Sequence, residues 1–202
     1  VFGPFGNPYY NSVVATFSHQ VSHGELPEIE IDGELKLIYV GELVSEILNT
    51  VSEKKDELLY YVPHTSTCKV SRLLFLLKKY KEIYQDKGEI PEQNSTFELN
   101  LFNTFRCYMD ISNHFPVKLN QHTDPRGSFV EIIRLGIGGQ VSFSTTKPGI
   151  TRGNHFHTRK IERFAVIKGK ALIQLRKIGS DEILDFYLNG DEPAYVDMPI
   201  WY

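Results

Sequence analysis

The chain holds only two cysteines, Cys68 and Cys107, in 202 residues, and they do not form a C-x-x-C pair. That spacing makes a disulfide or redox pair the less favoured reading. Each cysteine lies in a helix-like apolar pattern, so buried thiols in a reducing compartment, the cytoplasm, are expected. No segment approaches about 18 uninterrupted apolar residues, so no membrane span is expected. The net charge of −3 is mild and no Lys/Arg block stands out. A basic footprint for nucleic acid or an anionic membrane is thereby excluded, in favour of a solvated mixed surface. Internal repeats, low-complexity tracts and a signal peptide are also missing. The chain opens at Val1 without methionine and closes at Tyr202 in what reads as the middle of a domain. It is therefore read as a fragment cut at both ends.

What is there is 41% hydrophobic, enough for one large core or two modules of about 100 residues each. Residues 1–110 read as α-rich with a few strands. Asn11 or Ser12 can cap a helix carrying Val13, Val14, Phe17 and Val21, with Gly24 placed to end it. Residues 34–40 alternate as a strand, and 42–52 form an amphipathic helix with Leu43, Val44, Ile47, Leu48 and Val51 on one face. Leu59–Val62 is a short strand candidate closed by Pro63. Thr65, Ser66 or Thr67 can cap the next helix, built on Val70, Leu73, Leu74, Leu76, Leu77 and Tyr80. Lys78 to Lys87 reads as its solvated tail, and Phe97 to Met109 as a further helix.

Near residue 114 the pattern changes to short alternating runs separated by Gly, Pro, Asn and Asp. Gly127–Leu135, Gly139–Thr145, Phe164–Lys168, Ala171–Ile178, Ile183–Leu188 and Tyr195–Met198 are the strand candidates. Closely spaced strands with turn signals between them predict an antiparallel sandwich or barrel. Within this half lies Gly149-x5-His155-x-His157-x4-Glu162-x6-Gly169. Residues two apart on a strand face the same side, so His155 and His157 share a face. The four residues before Glu162 suffice for a turn that returns its carboxylate to the same spot. Two imidazoles and a carboxylate suit a divalent transition metal, zinc first among them, with open positions. The competing reading makes one histidine a general base and the other a packed or solvent-facing residue.

The glycine-to-glycine spacing matches the first motif of the cupin family. Thr151-Arg152-Gly153-Asn154-His155 and Asp124-Pro125-Arg126-Gly127-Ser128-Phe129-Val130-Glu131 also resemble elements of the RmlC-type sugar-nucleotide epimerases. Those are cupins that work without metal; the added His157 and Glu162 favour the metal version. Across its whole length the chain resembles the bifunctional capsular and lipopolysaccharide enzymes of the CapF/WbjC type. The resemblance runs through Val1-Phe2-Gly3, Tyr10–Phe17, Glu34–Val40, Gln140–Ser144, Lys147–Thr151 and Val196-Asp197-Met198-Pro199. It implies an α+β two-part chain. Residues 1–112 would be the substrate-binding tail of an extended short-chain dehydrogenase/reductase domain, and 113–202 a cupin barrel of RmlC-like type, incomplete at its C-terminal end.

The resemblance further implies part of a UDP-N-acetyl-L-fucosamine pathway enzyme. The cupin would epimerise a UDP-linked 4-keto-6-deoxy-N-acetylhexosamine at carbon 3, and the reductase would then reduce the carbon-4 ketone with NADPH. The Gly-rich loop and Tyr-x-x-x-Lys pair of that reductase are not in these residues, so NADPH belongs to a longer parent and no cofactor-binding residue is named here. The family's Y-I-D-D-V stretch reads Tyr39-Val40-Gly41-Glu42-Leu43, with the acidic pair partly lost. Its second cupin motif runs past Pro-x-x-Tyr to a Thr-His, and that histidine would be the fourth metal ligand. Candidate bases are His122, Asp124 and Tyr202, and candidate diphosphate-binding residues are Arg126, Lys147 and Arg152. A homodimer through the cupin is expected, with no nucleic-acid partner. The rival readings are a metal-dependent oxygenase or isomerase on the same barrel, and a non-catalytic barrel serving structure or dimerisation.

Overall fold

A computed structural model describes residues 1–53, 59–124, 127–130, 132–133 and 146–202, with 122–124 and 127–130 described by backbone pairing alone. The strand candidate Gly139–Thr145, the end of Gly127–Leu135 and Arg126 lie outside the described residues. The chain divides into two compact units, Val1–Lys87 with Gln93–Asp110, and Gly88–Glu92 with Ile111–Tyr202.

The first unit is built on three helices, α1 (Val13–Ser22), α3 (Val70–Tyr80) and α4 (Thr96–Arg106), which pack on one another. Ser12 caps α1 through its hydroxyl, which accepts from the Ala15 N–H at 3.2 Å. At α4, Ser95 accepts from the Glu98 N–H at 3.1 Å, and the Glu98 carboxylate reaches back to the Asn94 N–H. The two bonds satisfy one donor inside the first turn and one just ahead of it. All the apolar positions expected on α3 are buried, with Leu73, Leu77 and Tyr80 fully excluded from solvent. Phe102 and Phe105 of α4 pack against Tyr80, whose hydroxyl donates to the Glu98 carbonyl. Lys81–Asp86 continues α3 as a π-helical segment, and its Tyr84 is buried against Phe102. The expected solvated tail thus contributes a core residue.

Several local expectations are corrected here. The strand at 34–40 is shorter, β1 (Glu34–Leu37), and it pairs antiparallel with β2 (Ser66–Lys69). Ser66 and Thr67 are therefore strand residues rather than helix caps, and Cys68 sits in a strand rather than in a helical pattern. The first turn of α3 is satisfied from a distance: the Ser71 N–H and hydroxyl both donate to the Asp32 carboxylate, at 2.7 and 2.9 Å. Those two bonds hold the Asp32 carboxyl below its ordinary range. Leu59–Val62 forms no strand; β1 pairs instead with β2. Helix α2 (Val40–Ser52) forms as expected, yet none of its residues is buried, and Val44, Ile47, Leu48 and Val51 stand exposed.

The second unit is β-rich and antiparallel. After the short helix α5 (Ile111–His114), β3 (Val117–Lys118), β9 (Ala194–Met198) and β6 (Glu162–Val166) form one sheet in that order. Strands β4 (Gln121–Asp124) and β5 (Gly127–Val130) pair separately, as do β7 (Lys170–Arg176) and β8 (Ile183–Asn189). None of these sheets closes on itself among the described residues. Central strand β9 is buried along its whole length, as expected of a strand flanked on both edges. Leu175, Phe186, Leu188, Val196 and Met198 make the core. Alternation along the β7–β8 hairpin puts Leu172 and Tyr187 outward and Leu175 and Phe186 inward. At the hairpin's open end the Gly190 N–H donates to the Gly169 carbonyl at 2.7 Å. A Cβ on Gly190 would collide with the Lys168 backbone.

Strand β6 is fastened to β9 by a buried bidentate ion pair. Arg163 Nε lies 2.8 Å from Asp197 Oδ1 and its Nη2 lies 2.9 Å from Oδ2, with the two side chains 5% and 1% exposed. The guanidinium also stacks on Tyr195 at 3.8 Å and donates to the Gly88 carbonyl at 2.9 Å. Removing one partner of such a pair leaves a buried charge uncompensated, at a cost of about 3–5 kcal/mol. Asp197→Ala is therefore expected to lower the stability of the second unit by about that amount in chemical denaturation. Lys118→Ala, which breaks only the exposed pair with Glu192, should leave the transition unchanged.

Candidate metal centre

Glu162 is the first residue of β6, where it pairs in register with Met198. The next residue, Arg163, carries the buried clamp, so the backbone that presents Glu162 is held rigidly. His155 and His157 come from the preceding segment, and here the expectation needs correcting. Residues 151–161 are not a strand; Gly153 and Asn154 take positive φ values of 103° and 59°. The left-handed turn brings the segment toward β6 without sheet pairing. A second tie fixes it: the Trp201 N–H donates to the His157 carbonyl at 3.0 Å, and Trp201 stacks on Phe156 with ring centroids 5.7 Å apart. The Trp201 carbonyl in turn accepts from the Ile178 N–H at 2.8 Å.

The three side chains converge although the strand geometry expected for them is absent. His157 Nε2 lies 3.0 Å and His155 Nε2 3.6 Å from the same oxygen, Glu162 Oε2. One ligand atom from each residue falls within 4.8 Å of the other two. Bonds of about 2.0–2.2 Å to a divalent ion place neighbouring donors roughly 3.0–3.5 Å apart. The donor set, with the two imidazole-to-carboxylate separations of 3.0 and 3.6 Å, suits a zinc-like ion. The side chain of His155 is 49% exposed, against 24% for His157 and 20% for Glu162. The cluster is thus walled on one side and open on the side of His155.

Lys160 also belongs to the cluster, and the sequence reading did not include it. Its ammonium sits 2.5 Å from Glu162 Oε1, the oxygen turned away from the imidazoles. Burial pushes the Glu162 carboxyl up, but the hydrogen bonds and charges of Lys160 and His157 outweigh it, and the net shift is downward. The signal in the sequence was a lysine two residues before the glutamate.

Other candidates fare differently. His122 and Asp124 lie on β4, in a pair with Phe129 and Gly127 of β5. Tyr202 is half-buried against the second core. Lys147 and Arg152 are exposed loop residues and, among the described residues, do not pair with Glu162. Arg126 lies outside the described residues. No helix among the described residues is long and apolar enough to cross a membrane.

Residues 122–202 match the family described as the polysaccharide biosynthesis C-terminal domain. Over its full length the chain is 31% identical to a UDP-2-acetamido-2,6-beta-L-arabino-hexul-4-ose reductase of Pseudomonas aeruginosa, covering 54% of that protein. Over 92 residues it is 29% identical to the spore coat polysaccharide biosynthesis protein SpsL of Bacillus subtilis. Among solved structures it resembles the capsular polysaccharide assembling protein CapF of Staphylococcus aureus, at 36% identity and a TM-score of 0.57. The match covers all of this chain and 56% of that one. It resembles equally CapF with the inhibitor 3-isopropenyl-tropolone, covering 59% of that chain. The chain thus spans little more than half the length of these relatives.

Losing an outer partner of a metal site costs about 10–100-fold in affinity, and losing a ligand should cost more. His157→Ala and Glu162→Ala are each expected to weaken Zn²⁺ binding by at least about 100-fold in calorimetric titration. His64→Ala, at an exposed position in the first unit, should leave it unchanged.

Proposed function

For this homologue of the UDP-2-acetamido-2,6-beta-L-arabino-hexul-4-ose reductase and of CapF, we propose a role in making a sugar nucleotide for a bacterial surface polysaccharide. The second unit acts on the sugar and holds a divalent metal, zinc first, through His155, His157 and Glu162. The observation that carries this reading is the convergence of those three side chains within the stretch that matches the polysaccharide family. The inhibitor held by CapF supports it chemically. A tropolone carries adjacent ketone and hydroxyl oxygens, a pair suited to chelating a divalent ion.

The substrate we propose is a UDP-linked 4-keto-6-deoxy-N-acetylhexosamine, and the reaction is epimerisation at carbon 3. A 4-keto UDP sugar is also what the name of the Pseudomonas reductase describes. Carbon 3 lies next to the ketone, so its proton is acidic only as far as the developing negative charge on oxygen is stabilised. His155, His157 and Glu162 would hold a divalent ion, which would supply Lewis acidity toward that oxygen. The chain's own residues do the rest: His155, on the open side, lines the approach, while Glu162 and His157 hold the walled side. His122, Asp124 and Tyr202 remain the candidates for moving the proton, and Arg126, Lys147 and Arg152 those for meeting the diphosphate.

In this proposal the first unit is the substrate-binding part of a reductase domain and the second a cupin, and NADPH is used only by a longer parent protein. The cytoplasm is the location we propose for the chain. A homodimer through the second unit completes the reading. Its support is the outer face of the β7–β8 hairpin, where Leu172 and Tyr187 form an exposed cross-strand pair and exposed Ile183 lies further along the same face.

The test is exchange at carbon 3 in heavy water. The zinc-loaded chain should introduce deuterium there into the 4-keto UDP sugar, as read by NMR, and the Glu162→Ala variant should not. A metal-loaded chain that leaves carbon 3 unlabelled would overturn the epimerase reading in favour of a binding or dimerisation module. Oxygen consumption by the iron-loaded chain would favour an oxygenase instead.

A further inference from the structure

The carboxylate of Glu162 is divided between two tasks. Its Oε2 faces both imidazoles, at 3.0 and 3.6 Å. Its Oε1 accepts a charge-assisted hydrogen bond from Lys160 at 2.5 Å. A carboxylate has two oxygens and about four lone-pair directions, and toward a divalent ion it can give one oxygen or both. Which it does decides how many coordination positions remain. We propose that Lys160 is a positioning residue that reserves Oε1, keeps Glu162 a one-oxygen ligand, and so leaves room on the ion for both oxygens of an incoming chelating ligand. The inference rests on the metal reading of the preceding section and names the side chain that sets the site's coordination number.

Geometry favours this role over that of an ordinary surface pair. Glu162 is 20% exposed, and its backbone is held at the start of β6 beside the buried Arg163 clamp. Lys160 is 57% exposed and could relax into water; it is the more exposed partner of the pair. Outer partners of this kind orient ligands and tune the metal. The ammonium also repels a nearby cation, so metal affinity alone is a poor readout of its effect. Coordination number and the capacity to take a chelating ligand are better ones.

The test uses the Co²⁺-loaded chain, whose visible absorption weakens as coordination number rises, and tropolone as a two-oxygen probe. Lys160→Met should free Oε1 to close on the ion. Its Co²⁺ absorption is expected to be weaker than that of the unsubstituted chain, and its tropolone affinity about 10-fold lower or more. Lys160→Arg, which restores a donor to Oε1, should recover both. Unchanged spectrum and tropolone affinity in Lys160→Met, with Co²⁺ bound, would overturn the positioning role alone. Failure of the unsubstituted chain to bind Co²⁺ would remove the metal reading and this inference with it, a result visible before any variant is compared.

Discussion

The candidate centre depends on a pair of charges that never touch it. Arg163 and Asp197 face each other across β6 and β9, almost wholly buried, and join by two parallel hydrogen bonds. Desolvating both groups is costly, and a hydrophobic pair of similar shape could hold the strands as well. What the ion pair adds is register. The fork of the guanidinium fits the carboxylate at one alignment only, and a slip of one residue would turn Glu162 to the other face of the sheet. The third arm of Arg163, on the Gly88 carbonyl, ties the segment Gly88–Glu92 into the same unit. Glu162 is thus placed by its neighbour in sequence, and the histidines are brought to it by a loop that Trp201 pins from the other side.

Much of the first unit is legible in sequence because its signals are local. Ser12 carries its own cap, and the apolar spacing of α3 predicts its buried face residue by residue. The misreadings arise where distant residues decide. Ser66 and Thr67 have the chemistry of a helix cap, but β1 recruits them as a strand, and Asp32 supplies the cap instead. Lys78–Lys87 looks like a solvated face, yet the π-helical segment turns Tyr84 inward. On α2 the period predicts the apolar face correctly and cannot say whether anything covers it.

In the second unit the strands β6 to β9 follow from alternation and turn residues, and Gly149 and Gly169 take the positive φ their turn positions suggest. The centre is legible in composition and misread in mechanism of assembly. Strand periodicity gives a reason for His155 and His157 to share a side, whereas a left-handed turn at Gly153 and Asn154 does the work. Lys160 escapes a search for metal donors because an ammonium donates no lone pair. Its part lies in which oxygen of Glu162 it leaves available, a matter of distances that spacing does not contain.

X-ray absorption at the zinc edge of the loaded chain tests the central claim most directly. The account predicts two imidazole nitrogens and one carboxylate oxygen at about 2.0–2.2 Å, with the remaining positions filled by light atoms from solvent. Sulfur in the first shell, or a shell without imidazole scattering, would contradict it.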